Sequence, residues 1–197
     1  MKLIEISKYI GSGLVMNRYQ AKSEKEIINR YRVLTIKSLD SVGSIDETEL
    51  EDFSAGRDIP EKYIAKAGDV FIRNSFPFTS GYIKSHSDYH LIISSNFTVI
   101  RPMEDRILPA YLSIYLNSIQ MQDYFNRVTS PSSMKFIKAE TIKQLELDLM
   151  ILDKQQDVIK LFSIMQEELT LMKDIFTKKD ILYRKMINEL IGGRNVR

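Results

Sequence analysis

The stretch that decides how the chain is organised is KQQDVIKLFSIMQEELTLMKDIFTKKDILYRKMINELI, residues 154–191. It contains neither glycine nor proline, and its apolar side chains recur alternately every four and every three residues. This spacing is typical of the seam of a coiled coil, in which one face of a long helix packs against another helix. Lys179 interrupts the seam, which otherwise consists of Val158, Phe162, Met165, Leu169, Met172, Phe176, Tyr183, Met186 and Leu190.

A helix over these residues is about 55 Å long at 1.5 Å per residue, too long for the rest of the chain to cover its apolar stripe. A hairpin or bundle within the chain would need a second long helical pattern, and the sequence contains none. We therefore expect a helix from another chain to cover the seam. An antiparallel homodimer and a complex with a different protein both remain open.

The chain before residue 153 has the pattern of short strands separated by turns. Apolar and polar residues alternate in the first of these runs, as in a half-buried strand, and Gly68-Asp69 forms a turn before the second. Proline at 102 ends the last run, because it cannot donate a ladder hydrogen bond. The predicted strands are Tyr31–Lys37, Val70–Arg73, Leu91–Ile93 and Phe97–Ile100.

Helices are predicted later in the domain. Pro109 opens one that runs to about Arg127, with Leu112, Leu116, Ile119 and Phe125 near one face, and a short helix follows at 139–145. A last strand is predicted at 147–150. Together these elements predict an α+β domain with a curved or barrel-like, mostly antiparallel sheet, followed by one long coiled-coil-forming helix. We place the domain at residues 1–152, the helix at 153–192 and a tail at 193–197.

Composition narrows the function classes. The chain has 197 residues, of which 44% are hydrophobic, and no cysteine, which fits a reducing cytoplasm and excludes disulfides and thiolate metal sites. Neither a signal peptide nor an apolar run of membrane-spanning length is evident, so we expect a cytoplasmic protein without membrane contact. The net charge of +2 does not by itself indicate a nucleic-acid partner.

The sequence contains no convincing catalytic or cofactor pattern. Gly11-Ser12-Gly13 lacks the third glycine and the lysine of a phosphate-binding loop. His86 and His90 are four residues apart in a loop-like segment, with no cysteine and no glutamate between them, which disfavours zinc. We therefore expect no metal, no cofactor and no enzymatic activity.

Five segments in order resemble the DNA-specificity (S) subunit of type I restriction-modification systems. Leu3–Ile10 with the glycines that follow it resembles the opening of that family, and the Gly-Asp strand at 66–73 resembles its signature. The other matching segments are 96–102, the helix beginning at Leu108-Pro109 and the passage from 147 through Gln155-Gln156 into the long helix.

The resemblance implies a target recognition domain joined to a spacer helix, within a non-catalytic subunit that directs separate methyltransferase (M) and restriction (R) subunits to DNA. Usual members of the family carry two recognition domains and two helices, whereas this chain carries one of each. It therefore resembles a half-subunit, which would dimerise or pair with another such chain to read a split site on double-stranded DNA. The family's common ending, with a proline near 149–152, is absent here.

The same resemblance, with the polar loops of the domain, suggests which residues contact DNA. Asn and Arg suit base edges, whereas Ser and Lys more often contact phosphates. Phe76 and Phe78, next to Pro77, are expected to pack in the core, with contact to bases as the alternative. The candidates are Arg73, Asn74, Thr79, Ser80 and Lys84 in a first loop, and Ser130, Ser132, Ser133, Lys135 and Lys138 in a second.

Two other functions remain open at this stage. The near-neutral charge is compatible with a coiled-coil protein-interaction module that binds no nucleic acid. The chain also fits a detached recognition domain of a single-chain restriction-methylation enzyme, or an anti-restriction decoy that docks on a methyltransferase without specific DNA binding.

Overall fold

The computed structural model describes residues 1–84, 90–129 and 135–192. Its internal contacts divide the chain into two units, Met1–Gln156 and Asp157–Arg197. The first unit is an α+β domain, and the second contains most of the long C-terminal helix.

Seven strands and three α-helices make up the described part of the domain, connected by turns and short 3-10 helices. The strands are β1 (Ser7–Ser12), β2 (Asn29–Leu34), β3 (Glu51–Ala55), β4 (Val70–Arg73), β5 (Ser80–Tyr82), β6 (Leu91–Ile93) and β7 (Phe97–Pro102). The helices are α1 (Pro109–Leu116), α2 (Ile119–Val128) and α3 (Ala139–Lys143), and α4 (Leu152–Gly192) follows them.

The larger sheet has the strand order β1-β7-β4-β5 and is antiparallel throughout. Its inner strand β4 is a continuous apolar run rather than an alternating one, because Val70, Phe71 and Ile72 are all buried. Helix α1 packs on β4 and β5, and the second sheet shares a hydrophobic cluster with Phe71 and Phe97. Both faces of this strand are therefore covered.

The smaller sheet has the order β3-β2-β6, with β2 antiparallel to β3 and parallel to β6. Its side chains alternate between two cores, as the period of a strand requires. Leu34 packs in the cluster that contains Phe71 and Phe97, whereas Val33 packs with Phe53 in a separate cluster. A one-residue slip of β2 would exchange these two sets, so the register is strongly specified.

These sheets, with the long helix, confirm the predicted α+β class with mostly antiparallel strands. The strands predicted at Val70–Arg73, Leu91–Ile93 and Phe97–Ile100 are confirmed. The first predicted strand is only partly correct. The prediction was Tyr31–Lys37, whereas the observed strand β2 begins at Asn29 and ends at Leu34. The strand ends there because the Thr35 N–H donates to the hydroxyl of Ser38.

Two other predictions were wrong in detail. The single helix predicted from Pro109 is two helices, because Asn117 binds the backbone of Ser80 through its side chain and Ser118 caps α2 by accepting from the Met121 N–H. Ile119 consequently leaves the apolar face and is 81% exposed. The strand predicted at 147–150 is an irregular segment, held by a bridge between Glu146 and Lys2.

The Gly-Asp turn before β4 is fixed by a buried ion pair. The Asp69 carboxylate is fully buried and accepts two hydrogen bonds from the Arg101 guanidinium, at 2.7 and 2.8 Å, and one from the Lys66 N–H at 2.8 Å. The hydrogen bond from Arg101 to Asp69 is the main cause that raises the pKa of Arg101. Gly68 has φ +83°, a conformation that favours glycine. The turn thereby ties β4 to β7.

Replacing Asp69 with Asn should destabilise the domain, since it leaves the charge of Arg101 without its buried partner. Loss of one member of such a pair costs about 3 kcal/mol. Denaturant unfolding of the full chain measures the change, with Asp58→Asn, at an exposed aspartate, as the matched control. Equal stability of the two variants would contradict this role.

Gln155, in the first turn of α4, belongs structurally to the domain. It is fully buried. Its side-chain carbonyl accepts from the Leu108 N–H at 2.8 Å, and its amide donates to the carbonyls of Arg106 at 3.1 Å and Met150 at 2.8 Å. One side chain thus satisfies three backbone groups at the beginnings of α1 and α4.

Gln155→Ala should lower the free energy of unfolding by about 2 kcal/mol, because buried backbone groups lose their partners. The neighbouring Gln156 is exposed, so Gln156→Ala is the control and should stay near the wild type. Thermal or denaturant unfolding of both variants checks this. A Gln155→Ala chain as stable as the control would show that water replaces the lost bonds.

Helix α4 has 41 residues, about 60 Å at 1.5 Å per residue. Within it, Val158 and Phe162 are half-buried, and the remaining apolar seam residues are exposed. The exposed fractions are 47% for Met165, 55% for Leu169, 56% for Met172, 75% for Phe176, 57% for Tyr183, 50% for Met186 and 76% for Leu190. Such a long apolar face, interrupted only by Lys179 among the seam positions, is characteristic of an interaction surface.

Candidate nucleic-acid interface

The structure brings the two candidate loops of the sequence together. Ser75 and Phe136 form an antiparallel bridge. The Phe76 N–H donates to the Lys135 carbonyl at 3.3 Å, and the Ile137 N–H donates to the Asn74 carbonyl at 2.7 Å. We call residues 73–76 together with 135–138 the recognition ribbon.

Three of the predicted contact residues have partners inside the protein. Asn74 is 5% exposed, accepts from the Thr98 hydroxyl at 2.7 Å and donates to the Ser95 carbonyl at 3.1 Å. Ser80 is fully buried and donates to the Phe71 carbonyl, and Thr79 is buried as well. Asn74 anchors the ribbon, whereas Ser80 and Thr79 belong to the packing of β4 and β5, and we do not propose direct DNA contact for these three residues.

The charged candidates of the ribbon remain accessible. Arg73 is half-buried, and its Nε donates to the Ser75 hydroxyl at 3.1 Å. The Lys135 ammonium donates to the Asn126 amide oxygen at 2.7 Å and lies 5.9 Å from the centre of the Phe76 ring. Lys138 is exposed immediately before α3.

Cations predominate in and beside the ribbon, and Glu140, two residues after Lys138, is paired with Lys143. Residues 73–79, 126–129 and 135–138 contain four cations, Arg73, Arg127, Lys135 and Lys138, and no acidic residue. This local excess stands out in a chain whose net charge is only +2. A cluster of cations without carboxylates suits a polyanion, which composition alone did not indicate.

The other candidates lie elsewhere or cannot be placed. Lys84 is exposed beyond the far end of β5, five residues after Thr79, which pairs with Arg73. At 3.3 Å per residue this puts it about 16 Å along the hairpin, away from the ribbon. Ser130, Ser132 and Ser133 lie outside the described residues.

The aromatic residues divide into core and surface. Phe78 is fully buried against Phe125, as predicted. The same prediction was wrong for Phe76, which is 57% exposed, and Phe136, which the sequence did not single out, is 53% exposed. A phenylalanine between Lys135 and Lys138 in a polar loop was the signal that could have drawn attention to it.

The described residues include no group of three or more potential His, Cys, Asp or Glu metal ligands. His86 lies outside them, so the paired-histidine pattern is not described. None of the described helices combines the length and the apolar character needed to cross a membrane.

The domain with its long helix has the fold of S subunits from type I restriction-modification systems. The HsdS subunit from Thermoanaerobacter tengcongensis matches with a TM-score of 0.66 and 16% identity, over 96% of this chain and 48% of that one. A structure from work on assembly and conformational transition of the type I R-M system matches with a TM-score of 0.62, at 13% identity over 94% and 42%. The S subunit from M. genitalium gives 0.54, at 10% identity over 99% and 46%.

A sequence comparison points to the same class. The specificity subunit of the type I restriction enzyme HindI from Haemophilus influenzae is 24% identical over 129 residues, which are 63% of this chain and 28% of that protein. No family model matches the chain. The resemblance to type I specificity subunits is therefore confirmed in sequence and in fold, and the chain spans less than half the length of these relatives.

Proposed function

We propose that this chain is a non-catalytic, cytoplasmic subunit that recognises a DNA sequence for a type I restriction-modification system. It directs M and R subunits to a split target site and acts as a dimer of half-subunits. The observation that carries the proposal is the agreement of the sequence match with the HindI specificity subunit and the HsdS fold over nearly the whole chain.

The recognition ribbon supplies the surface for DNA in this proposal. Arg73, Lys135 and Lys138 suit phosphate oxygens, since each is a cation and the acid nearest to Lys138 along the chain, Glu140, is paired with Lys143. Arg73 is also able to reach base edges through its guanidinium. Contacts to phosphates position the protein and make affinity depend on salt, whereas contacts to bases select the sequence.

Arg73→Ala and Lys138→Ala should each weaken DNA binding without unfolding the domain. Each lost phosphate contact reduces the slope of log affinity against log salt by about one. Fluorescence anisotropy of the full chain with a labelled random-sequence duplex, repeated at several salt concentrations, measures both quantities. Lys8→Ala, at an exposed lysine on the edge strand β1, is the control.

Affinity and salt slope that do not change in Arg73→Ala and Lys138→Ala would contradict the interface. An equal loss in Lys8→Ala would mean that binding follows total charge rather than the ribbon. If only the combination with a methyltransferase binds DNA, the chain works as a half-subunit within that complex. If it docks on the methyltransferase and still binds no DNA, it is a decoy.

We propose a second copy of the chain, in antiparallel orientation, as the partner of the α4 seam. The seam residues are spaced alternately by four and three, and their positions are symmetric about Asp174. Turning a second helix over therefore places Val158 opposite Leu190, and Met172 opposite Phe176. A two-fold dimer interface requires such self-complementarity.

The charges of α4 favour the same orientation. Residues 153–172 carry Lys154 and Lys160 against four acids, which gives −2, and residues 173–191 carry five cations against three acids, which gives +2. Antiparallel pairing sets the acidic half of one helix beside the basic half of the other, whereas parallel pairing sets like charges together.

Met172→Lys should convert the dimer to a monomer, because it places a cation in the middle of an apolar seam. Sedimentation equilibrium of the full chain measures this as a fall from twice the chain mass of 22.9 kDa to that mass. Ser163→Lys adds the same charge outside the seam and should leave the dimer intact. A wild-type chain that is monomeric at every concentration would instead assign the seam to a different protein.

A further inference from the structure

Two large aromatic rings are exposed on the recognition ribbon. Phe76 and Phe136 are 57% and 53% exposed, although each side chain would gain about 2 kcal/mol if it were buried. In a two-stranded ribbon, neighbouring residues point to opposite faces and paired residues share a face. Phe76 therefore shares a face with Lys135, and Phe136 shares the other face with Ser75.

The Phe76 ring is supported by neighbouring side chains. It meets Phe78 edge to face at 6.0 Å, and Phe78 meets the buried Phe125 at 5.8 Å. The Lys135 ammonium lies over the Phe76 ring, 5.9 Å from the ring centre. A side chain that is fixed before binding loses little conformational entropy when it contacts a ligand.

We propose that Phe76 determines part of the DNA specificity, by contacting thymine methyl groups in the major groove from the face of the ribbon that it shares with Lys135. This rests on the proposed function and names the contacts of the same site. A two-stranded ribbon fits into the major groove, where the thymine methyl is the characteristic apolar group available to a phenyl ring. The cations of the ribbon, Arg73, Lys135 and Lys138, lie on the same two segments and reach the flanking phosphates.

Selection of bound duplexes from a random-sequence pool by the full chain tests this. The wild type should enrich a motif that contains thymine, and Phe76→Ala should enrich a motif that tolerates other bases at a thymine position. Phe136→Ala removes a ring from the opposite face of the ribbon and should enrich the wild-type motif. Replacing that thymine with uracil should weaken wild-type binding about fivefold, the low end of the cost of a wrong base pair, and should not weaken binding by Phe76→Ala further. Ile119→Ala, which removes an exposed apolar side chain from α2, should enrich the wild-type motif.

The outcomes separate the two proposals. If the wild type enriches no motif, the proposed function fails and this inference fails with it. If the wild type enriches a motif that Phe76→Ala also enriches with equal affinity, the methyl contacts alone are overturned. Relaxation confined to positions other than thymine overturns them as well. Thermal unfolding of each variant shows whether it is folded. If Phe76→Ala is unstable, the replacement of thymine with uracil tests the methyl contacts on the wild type alone.

Discussion

The burial of β4 on both faces is the constraint on which the domain depends. Val70, Phe71 and Ile72 have no exposed side, so β7, β5, α1 and the smaller sheet must all be in place around them. The two ends of the strand are fixed by polar contacts rather than by packing. Asp69 binds Arg101 at one end, and Asn74 binds Thr98 at the other. Both partners lie on β7, so the two strands are joined before and after their ladder.

That arrangement determines where the recognition ribbon begins. The chain leaves β4 at Arg73, and the next residue is buried with both its side-chain atoms and its backbone bonded. From this anchored point the chain pairs with 135–137, which arrive from α2. The cations and exposed rings of the ribbon thus stand on a rigid base. Rigid support is what a surface requires if it is to discriminate between ligands by contact geometry.

The sequence predicted those strands and helices whose residue patterns lie within the element itself or next to it. The strand after Gly68-Asp69 follows from a turn and an apolar run, and the long helix follows from a spacing maintained over many turns. It could not predict the break at Asn117, because the cause is a hydrogen bond to Ser80, 37 residues away. The sequence also could not show that Asn74 is buried while its neighbour Arg73 is accessible. Both are polar residues of the same loop, and the difference arises because Asn74 bonds to Thr98 on β7. That residues of the ribbon contact DNA stays a prediction.

The ribbon is held together by main-chain hydrogen bonds, from the Phe76 N–H to the Lys135 carbonyl and from the Ile137 N–H to the Asn74 carbonyl. Main-chain bonds do not depend on which side chains the paired residues carry. The exposed side chains at positions 76, 136 and 138 can therefore be replaced without breaking these main-chain bonds, whereas Asn74 and Ser80 support the framework through their side chains. Substitutions at those positions alter the exposed chemistry while the framework beneath them keeps its contacts. A domain built in this way is able to acquire a new binding preference by a few surface changes without first losing its stability.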